Sequence, residues 1–262
     1  MTSQYPRGRR GFRRGDGERP LVLGHRGARH AAPENTLAAF DLAIEEGADG
    51  VELDVRLAHD DEVVVMHDVS LARVTGGLDE RPVDALDSFE LAQIDVGGGE
   101  HPPTLRQVLD WARSRRTRLN VELKHDGSRT EGLAARVVEL VRACAPLEGR
   151  VLLSCFHPGL VRKLARLAPD IPVAWLVHRR QRAFREGRGW KALGAAGINP
   201  EHALVTPGRM ARWRDEGALI NVWTVNEPDD ALRLASLGVD TLISDTPGRI
   251  LAALGVKAGV LR

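Results

Sequence analysis

The chain has 262 residues, 43% of them apolar and 28% charged, and a formal net charge of +1. This suits a soluble globular protein with a large core and gives no electrostatic case for nucleic acid as the main partner. No run of about 18 apolar residues occurs, so no stable membrane insertion is expected; Cys144 and Cys155 lie outside any metal-ligand or redox spacing.

The first stretch gathers Arg7, Arg9, Arg10, Arg13 and Arg14 among Gly8, Gly11, Gly15 and Gly17. It has little to bury, which predicts a disordered basic tail over residues 1–20. Arg9-Arg10-Gly11-Phe12 faintly resembles a twin-arginine export signal. Gly15-Asp16-Gly17-Glu18-Arg19-Pro20 follows in place of the apolar stretch such a signal needs, so a cytoplasmic protein is expected.

From residue 21 to 262, short β-like runs alternate with helical patterns. Leu21-Val22-Leu23-Gly24 is the first strand. A helix follows from Pro33 and Glu34 through Leu37, Phe40 and Ile44 to a stop at Gly47. Gly50–Val55 is the second strand, and Val63–Met66 is a short run that extends the rim or pairs locally. Residues from about 69 to 103 break the rhythm with Gly76-Gly77, Gly97-Gly98-Gly99 and one short helix near Ser88 to Gln93; they read as an insertion over one end of the fold. Thr104 then caps a helix to Ser114. Further strands are expected at Leu119–Leu123, Val151–Ser154, Val173–Val177, near His202 to Val205, at Leu219–Trp223 and at Thr241–Ile243. Eight βα units predict an α/β fold, a (β/α)8 TIM barrel with a small insertion after strand 2. Gly24-His25-Arg26-Gly27 after the first strand does not fit the glycine pattern of a dinucleotide-binding open sheet.

Barrel enzymes place catalytic groups where strands end. Here the ends carry His25 and Arg26, Glu52 and Asp54, His67 and Asp68, and Glu122 and Lys124. Glu52 and Asp54 share one strand face, and two adjacent buried carboxylates need a compensating charge. Glu122 can add a third. An all-oxygen set suits Ca²⁺ or Mg²⁺ rather than zinc; the alternative is a salt-bridged layer with Lys124 as counter-ion. His25 and His67 are the candidates for proton transfer, and Arg26 and Lys124 for phosphate.

Gly24-His25-Arg26-Gly27, Pro33-Glu34-Asn35-Thr36, Glu52-Leu53-Asp54-Val55 and His67-Asp68 together resemble the opening signature of glycerophosphodiester phosphodiesterases. The similarity continues through Pro103-Thr104-Leu105, Glu122-Leu123-Lys124, Ser154-Cys155-Phe156, Trp223-Thr224-Val225-Asn226 and Ser244-Asp245-Thr246-Pro247, from Leu21 to about Leu254. The resemblance implies Glu52, Asp54 and Glu122 as ligands of one divalent cation, Ca²⁺ or Mg²⁺. It implies His25 and His67 as the acid–base pair, Arg26 and Lys124 as phosphate-binding groups, and Glu34 and Asn35 as residues shaping the first loop. Trp223 would line the substrate pocket or pack the barrel. His30 departs from the small residue frequent in the family and would narrow the pocket or face solvent.

The activity so implied is metal-dependent hydrolysis of a small-molecule glycerophosphodiester to glycerol 3-phosphate and an alcohol. The competing expectations are a lysophospholipid-type phosphodiesterase at a membrane surface and a noncatalytic phosphate-binding barrel.

Overall fold

The computed structural model describes residues 11–144, 147 and 149–256. The chain runs β1 (Leu21–His25), α1 (Leu37–Glu45), β2 (Gly50–Leu57), β3 (Val63–Val65), α2 (Ser88–Leu91), α3 (Leu105–Arg115), β4 (Arg118–Leu123), α4 (Leu133–Ala143), β5 (Val151–Cys155), α5 (Pro158–Leu167) and β6 (Val173–Val177). It continues with β7 (Gly197–Pro200), α6 (Pro207–Asp215), β8 (Leu219–Val222), α7 (Pro228–Leu237), β9 (Thr241–Ser244) and α8 (Pro247–Ala253). β1 pairs in parallel with both β2 and β9, which closes β1, β2 and β4 to β9 into an eight-stranded parallel barrel. β3 stands apart, antiparallel to β2.

Strand alternation divides the core. Val51, Leu53 and Val55 of β2 face the helices with Leu119, Val121 and Leu123 of β4, so Glu52, Asp54, Glu122 and Lys124 take the opposite, inner face. The inner core beneath them holds Phe12, Leu23, Leu152, Ala174, Ala196, Leu219 and Ile243.

Two sequence expectations need correction. The tail does not extend to residue 20. Phe12 is fully buried in the inner core, Arg13 donates to the carbonyls of Gly217 and Ala218, and Arg14 donates to that of Ala235. Gly217 and Ala218 lie just before β8, and the Arg14 amide also donates to Asp240, just before β9, so the segment closes the N-terminal end of the barrel. A glycine- and arginine-rich composition conceals this, because one aromatic ring and a few carbonyl partners suffice to fix it. Arg7, Arg9 and Arg10 lie outside the described residues. The seventh strand is Gly197–Pro200, and His202–Leu204 is a turn of 3-10 helix. Gly and Pro read as breakers in sequence, yet a Cβ at Gly197 would collide with the Leu219 backbone, so the close approach of β7 to β8 requires glycine.

The expected insertion is a folded unit. Leu71, Val83, Leu86, Leu91 and Val96 pack on Ala58, Val64 and Met66 as a small second core. Asp87 and Glu90 form a reciprocal capping box on α2. Among the described residues no helix is long and apolar enough to cross a membrane.

Candidate active site

β2 and β4 bring three carboxylates together at the C-terminal end of the barrel. Asp54 lies opposite Glu122 in the strand register, and one oxygen from each of Glu52, Asp54 and Glu122 lies within 4.8 Å of the others. All three are buried. Lys124 Nζ sits 2.8 Å from Asp54 Oδ1 and 2.6 Å from Glu122 Oε1. Arg26 Nε lies 3.0 Å from Asp54 Oδ2, and the Asn35 amide donates to the same oxygen at 3.0 Å.

These partners are unequally shared. Burial pushes the Asp54 carboxyl upward, but Lys124 and Arg26 outweigh it and hold the group well below the usual range. Glu52 is pushed well above that range by burial and by the charges of Asp54 and Glu122. Glu122 is raised by burial despite Lys124. Three carboxylates thus meet two protein cations, and the deficit of positive charge falls on Glu52. An all-oxygen, net negative, buried donor set fits one hard divalent cation.

The two histidines approach from different strand ends. His25 Nδ1 lies 2.6 Å from Asp245 Oδ1, and its Nε2 is 3.9 Å from Glu52 Oε2. His67 follows β3, and its Nδ1 lies 2.6 Å from Asp68 Oδ1. An ionised carboxylate only accepts, so each Nδ1 carries the hydrogen and each neutral ring presents an unprotonated Nε2. Burial lowers both histidine pKa values in spite of nearby carboxylates. Arg56, two residues beyond Asp54, donates to the His67 carbonyl at 3.0 and 2.6 Å and to the Asp126 side chain at 2.8 Å, which fixes the start of the His67 loop.

The first loop is held by charge and by backbone shape. Arg26 and Asn35 both adopt left-handed φ, 59° and 60°, where non-glycine residues are uncommon and cluster at functional sites. The Arg26 amide donates to the Glu52 carbonyl at 2.9 Å. Glu34 gathers Arg26, Arg29 and, from the insertion, Arg73 at 2.9, 3.3 and 2.6 Å. Arg73 also reaches Asp68 at 2.5 Å, which ties the insertion to the His67 loop. His30 Nδ1 lies 3.1 Å from the Asp245 carbonyl oxygen, and its Nε2 is 3.2 Å from Glu46 Oε1.

Trp223 stands on the other side of the mouth. Its indole donates to the Asn199 carbonyl at 2.8 Å, its ring meets Phe156 edge-on at 5.5 Å, and His178 lies 5.8 Å away. It packs on the inner core yet remains half-buried, so its position accommodates both expected roles.

Arg29, Arg56, Arg73, Asn226 and Asp245 also take part in the site, and the sequence alone points to no role for them. Asn226 donates to Asp245 Oδ2 at 2.7 Å and accepts from the Asp245 amide at 2.9 Å, an exchange that sets the carboxylate against His25. Asn226 and Asp245 stand in motifs of the family resemblance, which is their only signal in the sequence; the three arginines have none.

Residues 25–249 match the model of the Glycerophosphoryl diester phosphodiesterase family. An uncharacterised Bacillus subtilis (strain 168) protein, YqiK, is 35% identical over 240 residues, 89% of this chain and 98% of its own. A glycerophosphodiester phosphodiesterase of Caldanaerobacter subterraneus subsp. tengcongensis is 30% identical over 243 residues, 88% and 96% of the two chains. The structure of an Oleispira antarctica phosphodiesterase in complex with the product sn-glycerol-3-phosphate superposes with a TM-score of 0.80 at 30% identity, covering 90% of this chain and 97% of that one. The family match spans every strand end described above, and the chain belongs to the glycerophosphoryl diester phosphodiesterase family as a phosphoric diester hydrolase.

Proposed function

We propose that this enzyme hydrolyses glycerophosphodiesters to glycerol 3-phosphate and an alcohol, with one divalent cation, Ca²⁺ or Mg²⁺, held by Glu52, Asp54 and Glu122. The observation that carries this is the pairing of a buried three-carboxylate cluster with two histidines, each oriented through Nδ1 by an aspartate. When bound, the cation supplies Lewis acidity toward a nonbridging phosphate oxygen and lowers the pKa of a nearby hydroxyl.

The protein's own groups do the rest. Arg26 and Lys124 place positive charge beside the carboxylates, where a phosphate oxygen requires it. His25 Nε2 takes the proton of the attacking oxygen as its bond to phosphorus forms. His67 enters the step as the imidazolium, protonated on Nε2 as well as Nδ1, and gives the Nε2 proton to the leaving alkoxide as the opposite P–O bond breaks. Asp245 and Asp68 keep each imidazole in the required tautomer and stabilise its charged form. The attacking oxygen is that of water or of the neighbouring glycerol hydroxyl; the second route gains from proximity and ends with water opening a cyclic phosphate.

The test is release of glycerol 3-phosphate from glycerophosphocholine, with and without a chelator. Release that stops on chelation and returns with added cation supports the reading; release indifferent to chelator removes the metal from it. The lysophospholipid reading draws on Leu78 and Phe89 of the insertion, which are 94% and 75% exposed. Turnover of lysophosphatidylcholine without turnover of glycerophosphocholine would favour it. Membership of a hydrolase family sets the noncatalytic barrel aside.

A further inference from the structure

The inner face of the barrel continues past the strand ends as a rim of two different halves. Leu23 and Ile243 face inward, so His25 and Asp245, two residues on, share that direction. Together with Asp54 and Lys124 they make β9, β1, β2 and β4 the charged half. On β5 to β8 the inward residues are Ser154, hydrogen-bonded to Asn120, then Ala174, and then Asn199, which bonds Asn221. The same alternation places Phe156, His178, Glu201 and Trp223 at the rim. This half is aromatic and contains one carboxylate.

That carboxylate is unusual. The Glu201 side chain is only 8% exposed. It accepts from the Arg179 amide at 2.9 Å, and its side-chain neighbours are Arg179 Nε at 3.2 Å and His178 Nε2 at 3.6 Å. Among the described residues its one permanent countercharge is therefore a side chain 58% exposed, on the loop after β6. Water readily takes back an exposed guanidinium, whereas a buried carboxylate retains its need for a cation. Beside it, Trp223, Phe156 and His178 present aromatic rings 5.5 and 5.8 Å apart. Aromatic faces around a buried anion suit an ammonium group. Arg180, Arg182, Arg185 and Arg188 on the same loop are exposed, and their repulsion is screened by solvent and salt.

We propose that Phe156, His178, Glu201 and Trp223 form the subsite for the leaving alcohol, and that it selects alcohols bearing an ammonium group, with Arg179 as the internal competitor for Glu201. This rests on the phosphodiesterase reading above, which assigns the phosphate to the charged half.

The experiment compares kcat/KM for glycerophosphocholine, glycerophosphoethanolamine and the neutral-headgroup glycerophosphoglycerol in the full-length enzyme, Glu201→Gln and Arg179→Ala. The expected wild-type preference is for the two ammonium substrates. Glu201→Gln lowers the ammonium-to-neutral ratio by roughly tenfold or more, the scale of a charge-assisted contact, and Arg179→Ala raises it. A quaternary ammonium cannot donate a hydrogen bond, so a larger Glu201→Gln effect on the ethanolamine substrate indicates an N–H···O contact, and an equal effect on both indicates charge alone; either supports the subsite. Thermal melting checks the fold, and if Glu201→Gln does not fold, Arg179→Ala decides. A ratio unmoved by the variants, or lowered by Arg179→Ala, overturns the subsite. A wild type that releases glycerol 3-phosphate from none of the three substrates overturns the phosphodiesterase reading itself and removes the subsite's foundation.

Discussion

His25 Nδ1 lies 2.6 Å from Asp245 Oδ1, and that oxygen is also 3.0 Å from Arg29 Nε. Burial alone would raise the Asp245 carboxyl, but His25, Asn226 and Arg29 hold it below its ordinary range, so it accepts from the ring. Asp245→Asn substitutes a group that also donates and removes the charge that supports the imidazolium. The expected result is a fall in kcat on the order of 10²–10⁴-fold with little change in KM. A kcat within about twofold of wild type would show that Asp245 does not position the base.

In the proposed mechanism His67 is the other proton-transfer group, and it stands on a loop pinned by Arg56 and by Asp68. His67→Ala should reduce turnover of alkyl diesters on the order of 10²–10⁴-fold while fold and cation binding persist. A glycerophosphodiester with a nitrophenol leaving group needs no proton on departure, so the variant should recover much of its rate on that substrate. Equal impairment on both substrates would remove the acid role from His67, and near-normal activity would remove any catalytic role.

Glu52 bears the largest unmet charge of the carboxylate cluster, because Lys124 and Arg26 serve Asp54. Glu52→Gln keeps the shape and removes one anionic ligand. Activity should fall, and raising the cation concentration should partly restore it, as expected when a ligand to a hard cation is weakened. A titration of activity against Ca²⁺ and Mg²⁺ in both proteins measures this; the same half-saturation in each would argue against Glu52 as a ligand.

The carboxylate cluster of the candidate site is legible because its residues are close in sequence or lie on neighbouring strands. Glu52 and Asp54 declare a shared face by spacing, His25 ends a short apolar run and Glu122 sits within an alternating one, both of which read as strands. Arg29, Arg56 and Arg73 were not legible. An arginine's long side chain takes its partners from the tertiary fold, and nothing near Arg73 in sequence indicates that it bridges Glu34 and Asp68. The seventh strand is not legible at its true position for a related reason: Gly197 and Pro200 are poor strand formers whose place is set by the close approach of β8. Phe12 was concealed by its neighbours, since the barrel end that buries it is assembled from β1 and β5 to β9.

Phe12 therefore offers a test of stability separate from catalysis. It is fully buried at the end of the barrel opposite the site, and it fills space between Leu23, Leu152, Ala174, Ala196, Leu219 and Ile243. Phe12→Ala should destabilise by about 3–5 kcal/mol through lost burial and the cavity left behind. For a domain of this size each kcal/mol corresponds to roughly 2–4 °C in Tm. At a temperature where both proteins are folded, kcat should match wild type. An unchanged Tm would mean that the segment before β1 does not close the barrel.

Glu34 couples the insertion to the site, and the coupling should depend on pH. Its carboxylate meets Arg26, Arg29 and Arg73, and is mostly buried among them. Burial pushes its pKa up, but Arg73 and Arg26 together outweigh burial and hold it below the ordinary value. A carboxylate with a depressed folded pKa stabilises the fold above its unfolded pKa, roughly 4.3 for Glu, and loses that contribution as pH falls through the folded value. Glu34→Gln removes the titrating group while leaving its volume. The variant should melt below wild type at pH 7, and the two melting curves should converge as pH falls from about 5 toward 3, where the wild-type carboxylate takes up its proton. A Tm difference that stays constant across that range would assign Glu34 a role in shape or hydrogen bonding alone, and the three arginines would then hold the insertion without drawing on its charge.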